Sequence, residues 1–417
     1  MQHPKTKCTY VGIDSHKETH TAVFLNCFFE KLGEITFGNM PSDFIEFLND
    51  AQKHKQDGTD FLFGMEDVSA YGRALAKFLM ANNYPVKHVN AYLVAGERKN
   101  LGYEKSDSID AECCARLLIS KFGKLPDAEE DGRYYILRTL VVRRDFLVKC
   151  KTMLKTYLHS LLTQDFPNYH KFFCEIDGAT SLAFFSQYPS PDDLEGVSAE
   201  NLGLFLAEHS CGFLGLRRAM QILNSLGETP PVHEIRKKTV RSTIQQLQYN
   251  LDELERIEAD LAKVYNEFGT TLTSMNGLDL VTASQFLSCI GDVRKFPTPA
   301  KLARYAGVAP RSHSSGKKDI QFANQLGDRE LNSLFYKLAV RLIITYKSEY
   351  EKGKYKAVNP FFYEYYHRKR AEGKTKAQAI KCMQRRLVNI IWTMLMNGED
   401  YVNPPKIDVE IPNPDEP

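Results

Sequence analysis

Two aspartates stand three residues apart near the start of a helical segment, residues 104–118 (EKSDSIDAECCARLL). Side chains three apart share one helix face, so the carboxylates of Asp107 and Asp110 would point in the same direction. Two carboxylates aimed at one point repel each other, and a divalent cation such as Mg²⁺, which takes oxygen ligands, relieves that repulsion. The alternative is an ordinary helix start, in which Ser106 or Asp107 caps backbone N–H groups and the helix dipole favours Asp110.

Two further acids follow apolar strands. The first predicted strand, CTYVGID at 8–14, ends at Asp14, and the fourth, DFLFGMED at 60–67, runs into Glu66. If the first three strands form a meander, strands one and four are neighbours and their ends lie side by side. Four acids from three segments would then converge, which is the arrangement that two-metal phosphoryl transfer requires. Each acid also has a structural explanation, because Asp14 could cap a turn before His16 and Glu66 could be a surface charge.

The segments around these acids predict an α/β layer with a mixed sheet. Short apolar runs between turn residues predict strands, and helical periodicity with a start signal predicts helices. The polar stretch before the last helix is predicted to be a loop. The predicted strands are 8–14, 20–27, 34–38, 60–67 and 85–92, and the predicted helices are 41–54, 71–83 and 108–122.

Charge is distributed unevenly along a chain of 417 residues whose net charge is only +2. Lysine and arginine concentrate in segments 133–160, 294–318 and 351–386. One basic run is commonly just a solvated face, but three of them favour a polyanionic partner such as nucleic acid. The last helices, near 359–397, mix Tyr, Arg and Lys in the way expected of a nucleic-acid surface.

Two long helices are predicted in the middle of the chain. Helix 133–165 has an apolar side and a basic side, and the basic side suits a phosphate backbone, that of RNA in particular. Its candidate nucleic-acid-binding residues are Arg138, Arg143, Arg144, Lys149, Lys151 and Lys155. Helix 234–268 has three/four apolar spacing and predicts one arm of an antiparallel coiled coil, packed on the first long helix or on a second protomer. Segment 166–232 gives no clear prediction.

The polar sequence PRSHSSGKK, at 310–318, predicts a loop between helices that places a serine beside a glycine. Ser315 would be accessible there, and Arg311, Lys317 and Lys318 could hold a phosphate next to it. Serine–glycine loops are common, so this pattern alone is weak evidence for a functional serine.

The nine cysteines have no metal-ligand spacing, and an odd number without a secretory segment predicts reduced thiols in the cytoplasm. No apolar run has transmembrane length, and the N-terminus has no signal-peptide pattern. Residues 401–417 are rich in proline and acids and predict a disordered tail.

The acidic motifs together resemble those of one family, the DEDD-type insertion-sequence transposases, which are described as bridge-RNA-guided recombinases. GIDSHK with Asp14, GMED with Glu66, and KSDSIDA with Asp107 and Asp110 are similar to the DEDD tetrad of that family.

C-terminal motifs resemble the same family. They are YAGVAPRSHSSGKK, with Ser315 directly before Gly316, then NPFFYEYY, then EGKTKAQAIKCMQRRLVNIIWTMLMNGEDY. The resemblance covers about 1–160 and 270–400, with its motifs in the family's order.

The resemblance implies three domains and a tail. They are a RuvC/RNase H-like mixed-sheet domain at 1–130, a basic helical coiled-coil arm for RNA binding and oligomerisation at 131–269, a small helical transposase domain at 270–400, and the tail at 401–417. It further implies that the four carboxylates bind Mg²⁺, as two ions, and that Ser315 attacks the scissile phosphate to form a phosphoserine–DNA linkage. The implied partners are donor and target DNA, a structured guide RNA encoded by the element, and further protomers in a dimer or tetramer, at the nucleoid of a prokaryote.

Two departures and two rival functions stay open. Two short helices are predicted around the turn in MNGLDLV, where Asn276 and Asp279 stand in place of the family's usual proline and second glycine, which argues against tight phosphate contact. Ser312 and Ser314 neighbour Ser315, so only the adjacent glycine selects the nucleophile. A hydrolytic, structure-selective nuclease would need the four acids but not Ser315, and a non-catalytic RNA- or DNA-binding scaffold would need neither.

Overall fold

A computed structural model gives the fold of the chain in two compact units. It describes residues 3–66, 68, 70–128, 132–166, 168–226, 231–315, 318–322, 324, 327–347 and 355–402, without the side chains of 92, 312–315 and 318–321. The first unit contains the residues up to 135 together with 290–397, and the second contains 136–289 with 398–402. The domain boundaries at 130, 269 and 400 remain a prediction.

A five-stranded mixed sheet forms the N-terminal part of the first unit. Its strands are β1 (Cys8–Ser15), β2 (Thr19–Leu25), β3 (Lys31–Gly38), β4 (Asp60–Met65) and β5 (Val86–His88). The order is β3-β2-β1-β4-β5, with β1 antiparallel to β2 and parallel to β4. The predicted meander and the predicted pairing of the first and fourth strands are therefore confirmed, and the mixed sheet fits the RNase H-like fold that the resemblance implies.

Helices cover both faces of this sheet. They are α1 (Pro41–Ala51), α2 (Arg73–Ala81), α3 (Ala91–Leu101) and α4 (Asp107–Ser120). Side chains alternate along β1, so Val11 and Ile13 pack in one core with Phe44 and Phe47 of α1, whereas Tyr10 packs on the opposite face in the core that contains α4. Because both faces of the inner strands are covered, β1, β2 and β4 are buried along most of their length, whereas the edge strand β3 has a single buried residue.

The prediction of a loop between the last strand and the last helix is wrong. The strand β5 is only three residues long, and α3 occupies most of the supposed loop. The sequence AYLVAGERKNL has a glycine in the middle and no clear apolar stripe, so periodicity does not reveal the helix.

The second unit is a helical bundle. Its helices are α5 (Gly132–Asp165), α6 (Ala179–Gln187), α7 (Ala199–His209), α8 (Leu216–Ser225), α9 (Glu234–Asn266) and α10 (Leu280–Ile290). Apolar residues from α5 to α9 form one core, which includes Leu158, Phe184, Leu206 and Ile244. Segment 166–232, whose structure had no clear prediction, supplies three of these helices.

The two long helices α5 and α9 run antiparallel within the bundle. Arg144 Nε lies 2.7 Å from Glu258 Oε1 near one end, and Asp165 Oδ2 lies 2.7 Å from Arg236 near the other. Packing of the second long helix on the first, one of the two predicted alternatives, is thus present. A coiled-coil arm remains a prediction.

The rest of the first unit is helical with two small hairpins. Its elements are α11 (Pro299–Tyr305), β6 (Arg311–Ser315), β7 (Lys318–Phe322), α12 (Arg329–Leu342), β8 (Thr345–Lys347), β9 (Tyr355–Ala357), α13 (Pro360–Ala371) and α14 (Lys376–Asn397). The supposed loop at 310–318 is therefore largely strand, since backbone hydrogen bonds pair polar residues that carry no apolar pattern. Likewise, the first of the two helices predicted around MNGLDLV is a single 3₁₀ turn at 272–274.

Among the described residues, no helix is long and apolar enough to cross a membrane. The predicted disorder of the tail concerns residues that lie mostly outside the described part of the chain.

Candidate active site

Parallel register brings the first two acids to one edge of the sheet. Ile13 of β1 pairs with Met65 of β4, and Asp14 and Glu66 are the residues that follow each of them. Because side chains alternate along a strand, Asp14 lies on the same face of β1 as Gly12, and that is the face covered by α4.

Two glycines allow α4 to approach this face closely. Gly12 pairs with Gly64 across β1 and β4. A Cβ added to Gly12 would lie 2.1 Å from the carbonyl oxygen of Ala111 and 2.3 Å from the nitrogen of Ala115, and one added to Gly64 would lie 2.9 Å from the side chain of Leu118. The backbone of α4 therefore rests directly on β1, its Leu118 side chain rests on β4, and the start of the helix lies near the ends that carry the acids.

The helix start explains how Asp107 can act at this edge. Ser106 is the N-cap of α4, and its Oγ accepts a hydrogen bond of 3.3 Å from the N–H of Ile109. The capping alternative is thus correct for Ser106, which leaves the carboxylate of Asp107 available for other contacts. Helix capping and an acidic site are therefore compatible in this segment.

A histidine that the sequence did not predict joins two of the acids. His16 Nε2 lies 3.3 Å from Asp14 Oδ2 and 3.2 Å from Asp107 Oδ1. These three ligand atoms all lie within 4.8 Å of one another and could hold a metal ion. The signal was present in GIDSHK, because residues two apart on an extended chain share a face.

The fourth acid, Asp110, is buried and pairs with an arginine. Its carboxylate Oδ1 accepts a hydrogen bond from Arg98 Nη1, and Asp110 is only 7% exposed. Arg98 belongs to α3, so the wrong loop prediction for that segment also concealed this partner. We call Asp14, Glu66, Asp107 and Asp110 together the acidic cluster.

The electrostatics of the acidic cluster is that of like charges close together. Burial raises the pKa of Asp14 above its usual value, and although His16 opposes this, the charges of Asp107 and Asp110 raise it further. Burial also raises the pKa of Glu66, with Asp14 and Asp110 adding to the effect and Lys105 and Arg98 opposing it. Asp107 and Asp110 thus act on Asp14, and Asp14 and Asp110 act on Glu66, so the repulsion at this edge is only partly relieved. That all four acids bind metal remains a prediction.

The candidate serine lies at the end of a strand in the C-terminal part of the first unit. Ser315 is the last residue of β6 and pairs with Lys318 of β7, but the side chains of both lie outside the described residues. Gly316 and Lys317 also lie outside them. Arg311 begins β6 and is exposed. The chemical role of Ser315 and the phosphate contacts of its neighbours remain predictions.

Most of the candidate nucleic-acid-binding residues on α5 are in ion pairs within the second unit. The pairs are Arg143–Glu253, at 3.7 Å, together with Arg144–Glu258, Lys151–Asp177 and Lys155–Asp177. Arg138 and Lys149 have exposed side chains. The basic side of α5 is therefore partly neutralised by its own chain, and its contact with nucleic acid remains a prediction.

Comparison with known proteins agrees with the architecture. Residues 11–167 match the family model of the DEDD transposases of the IS110 type, which is described as a transposase. Residues 269–356 match a second model, described as the transposase IS116/IS110/IS902 family. The IS116 insertion-element protein of Streptomyces clavuligerus is 24% identical over 411 residues, which is 95% of this chain and 97% of that protein.

Two other relatives extend the comparison. The pilin gene-inverting protein of Moraxella lacunata is 24% identical over 405 residues, 94% of this chain and 97% of its own. The IS110 insertion-element protein of Streptomyces coelicolor is 33% identical over 141 residues, which is 34% of this chain and 32% of that protein.

Two transposase family models match this chain, one over the mixed sheet and the first long helix and one over part of the C-terminal region, and they define the class of protein as DNA transposase or recombinase. The chain belongs to the IS110-type family of DEDD transposases. It is therefore an enzyme that cleaves and joins DNA.

Proposed function

We propose that this transposase is an RNA-guided DNA recombinase that uses Mg²⁺ at the acidic cluster and Ser315 as its nucleophile. The observation that carries the proposal is that acids from β1, β4 and α4 lie at one edge of the sheet, where burial and neighbouring acids raise the pKa of Asp14 and of Glu66. Acids arranged in this way are suited to phosphoryl transfer assisted by divalent cations.

The donor set fits the proposed ions. Carboxylate oxygens are the ligands that Mg²⁺ prefers. Burial and, after it, the charges of neighbouring acids raise the pKa of Asp14 and Glu66, and a cation would offset both effects. Asp14, Glu66, Asp107 and Asp110 would hold two ions. When bound, the ions would neutralise charge on the phosphate and make a hydroxyl a better nucleophile.

Ser315 would carry the covalent step. A serine hydroxyl is a weak nucleophile at neutral pH and needs a base or a cation beside it. As its Oγ bonds to phosphorus, one phosphorus–oxygen bond of the DNA backbone breaks and the hydroxyl proton passes to a nearby acceptor. The phosphoserine linkage conserves the bond energy, so the strands can be rejoined without ATP. Arg311, Lys317 and Lys318 would bind phosphates beside it.

The proposed partners are donor DNA, target DNA, an element-encoded guide RNA and further copies of this chain. The Moraxella relative is named for inverting a pilin gene, and this agrees with site-specific exchange. Within the second unit, Arg138 and Lys149 on α5 are exposed, and with their neighbours on the helix they would contact the RNA backbone.

The deciding experiment measures covalent attachment. Full-length protein, with the RNA that co-purifies with it, is incubated with Mg²⁺ and supercoiled plasmid carrying the DNA that flanks its gene. We expect a protein–DNA adduct that survives denaturation, is lost in Ser315→Ala and Asp110→Asn, and persists in the matched controls Ser312→Ala and Ser314→Ala.

Other outcomes would overturn separate parts of the proposal. If Ser315→Ala cuts DNA as well as wild type and no adduct forms, the chain is a hydrolytic nuclease. An adduct that is insensitive to removal of the RNA would contradict guidance, and unchanged activity in Asp14→Asn and Asp110→Asn would point to a scaffold without catalysis.

A further inference from the structure

His16 places a nitrogen beside the acidic cluster, whose four members offer only oxygens. The same atom, Nε2, lies 3.3 Å from Asp14 Oδ2 and 3.2 Å from Asp107 Oδ1. The ring is about half exposed, at 48%, and Asp107 is 57% exposed, so both side chains are accessible from solvent.

A hydrogen-bonding role explains these contacts only in part. One N–H group points in one direction and makes one linear hydrogen bond, whereas here one nitrogen lies almost equally far from two oxygens. Both distances also exceed the usual length of a charge-assisted N–H···O bond, which is about 2.7–2.9 Å.

Coordination of a cation accounts for the spacing better. Two ligands bound at right angles, each at about 2.1 Å from a small divalent cation, are about 3 Å apart. The separations of His16 Nε2 from the two carboxylate oxygens are close to this value, and all three atoms lie within 4.8 Å of one another. Little movement would bring them round one ion.

We propose that His16 is a metal ligand at one of the two proposed ion positions, the one between Asp14 and Asp107, and that it makes this position bind a divalent transition ion more tightly than the Mg²⁺ it can also accept. This inference rests on the proposed function, since it assumes that the acidic cluster binds cations. Imidazole nitrogen is a good ligand for transition ions, whereas Mg²⁺ prefers oxygen and gives up its water reluctantly. Mn²⁺ is the suitable probe, because it accepts carboxylate oxygens and nitrogen at the same site.

The rest of the cluster differs in its chemistry. Asp110 and Glu66 offer only oxygens, and Arg98 hydrogen-bonds to Asp110 and lies close enough to Glu66 to attract its charge. A permanent guanidinium charge therefore already serves that side, while the Asp14–His16–Asp107 side has an imidazole nitrogen between two carboxylates. The two sides are thus expected to differ in metal preference, and His16 determines the difference.

The test measures metal binding without DNA cleavage. Full-length wild type, His16→Asn and the control His170→Asn, which changes an exposed histidine of the second unit, are titrated with MnCl₂ and with MgCl₂ by calorimetry. The Mn²⁺ complexes are then examined by pulsed electron paramagnetic resonance for coupling to a ¹⁴N nucleus.

For wild type and His170→Asn we expect imidazole ¹⁴N coupling and tighter binding of Mn²⁺ than of Mg²⁺. His16→Asn should lose the coupling and about tenfold or more of its Mn²⁺ affinity, with Mg²⁺ affinity changed less than about twofold because asparagine still offers an oxygen. Mn²⁺ binding without ¹⁴N coupling in wild type, or an unchanged Mn²⁺/Mg²⁺ ratio in His16→Asn, would overturn the role of His16 alone. Failure of wild type to bind either ion, or binding that survives in Asp14→Asn, would overturn the proposed metal centre itself.

Discussion

The two units use the same residue types in opposite ways. In the first unit, acids from three segments meet with few cations between them, and the pKa of Asp14 and Glu66 rises. In the second unit, partly buried acids are matched by lysines. Burial alone would raise the pKa of Asp177, but hydrogen bonds from Lys151 and Lys155 outweigh it and lower the pKa to about 2.

A second matched group in the helical bundle makes the contrast sharper. Lys237 is only 6% exposed, and its Nζ lies 2.6 Å from Asp192 Oδ2 and 2.9 Å from Asp193 Oδ1. Hydrogen bonding to Asp192 raises the pKa of Lys237 above its usual value. Matched charges hold a fold together, whereas a chain that gathers like charges incurs a cost in stability that a ligand can offset.

The largest expected effect comes from moving α4, which carries Asp107 and Asp110, away from the sheet that carries the other two acids. Gly12→Ala places a methyl group 2.1 Å from a backbone carbonyl of α4, so the helix must move away from the sheet. We expect a loss of about 3 kcal/mol or more in the free energy of unfolding, because backbone cannot yield as a side chain can. Chemical denaturation measures the loss, and DNA cleavage should fall with it.

Gly96→Ala is the matched control for this substitution. Gly96 lies in α3 and has no atom within 4 Å of an added Cβ. Alanine there should leave stability unchanged or raise it by up to about 1 kcal/mol, as in any helix interior. Equal effects of the two substitutions would contradict the close docking of α4 on β1.

How much of this centre could be predicted depends on the range of the interaction. Asp14 and Glu66 end apolar runs, and Asp107 and Asp110 show helical spacing, so local pattern was enough to find them. Arg98 was missed because its helix lacks an apolar stripe. The role of Gly12 was missed because its contact with Ala111 joins segments about a hundred residues apart, which no local pattern encodes.

The next prediction concerns the matched charges of the bundle. Lys237→Met removes the cation and leaves Asp192 and Asp193 side by side and partly buried. We expect a loss of about 3 kcal/mol, because removing one partner of a buried ion pair leaves the other uncompensated. Thermal unfolding compares this variant with Lys238→Met, whose lysine is exposed. Similar melting temperatures for the two would show that the Lys237 group is not needed for the fold.

A pH dependence follows from Asp177. Its folded pKa of about 2 lies below the usual value, so its contribution to stability is complete above about pH 4 and is lost as the pH falls through about 2. Asp177→Asn should therefore cost about 2 kcal/mol at neutral pH and almost nothing near pH 2. Denaturation across this range tests it, with Glu175→Gln as control because Glu175 is 73% exposed. A constant difference at all pH values would mean that charge is not the cause.

The smallest expected effect is a gain in stability, where the preceding substitutions cause losses. It tests most directly the difference in charge matching between the two units. Because the folded pKa of Asp14 is raised, the ionised carboxylate costs stability at pH values above the usual pKa, where the unfolded chain ionises freely. Asp14→Asn, measured by calorimetry in the presence of a chelator, should thus be more stable than wild type by about 1 kcal/mol or less. Asp57→Asn, at an exposed position, should leave the stability unchanged.

Divalent cations should then raise the melting temperature of wild type more than that of Asp14→Asn, since a ligand that binds only the folded state stabilises it. A less stable Asp14→Asn in chelator would mean that His16 already balances the charge of Asp14, and the two units would then not differ in the way described.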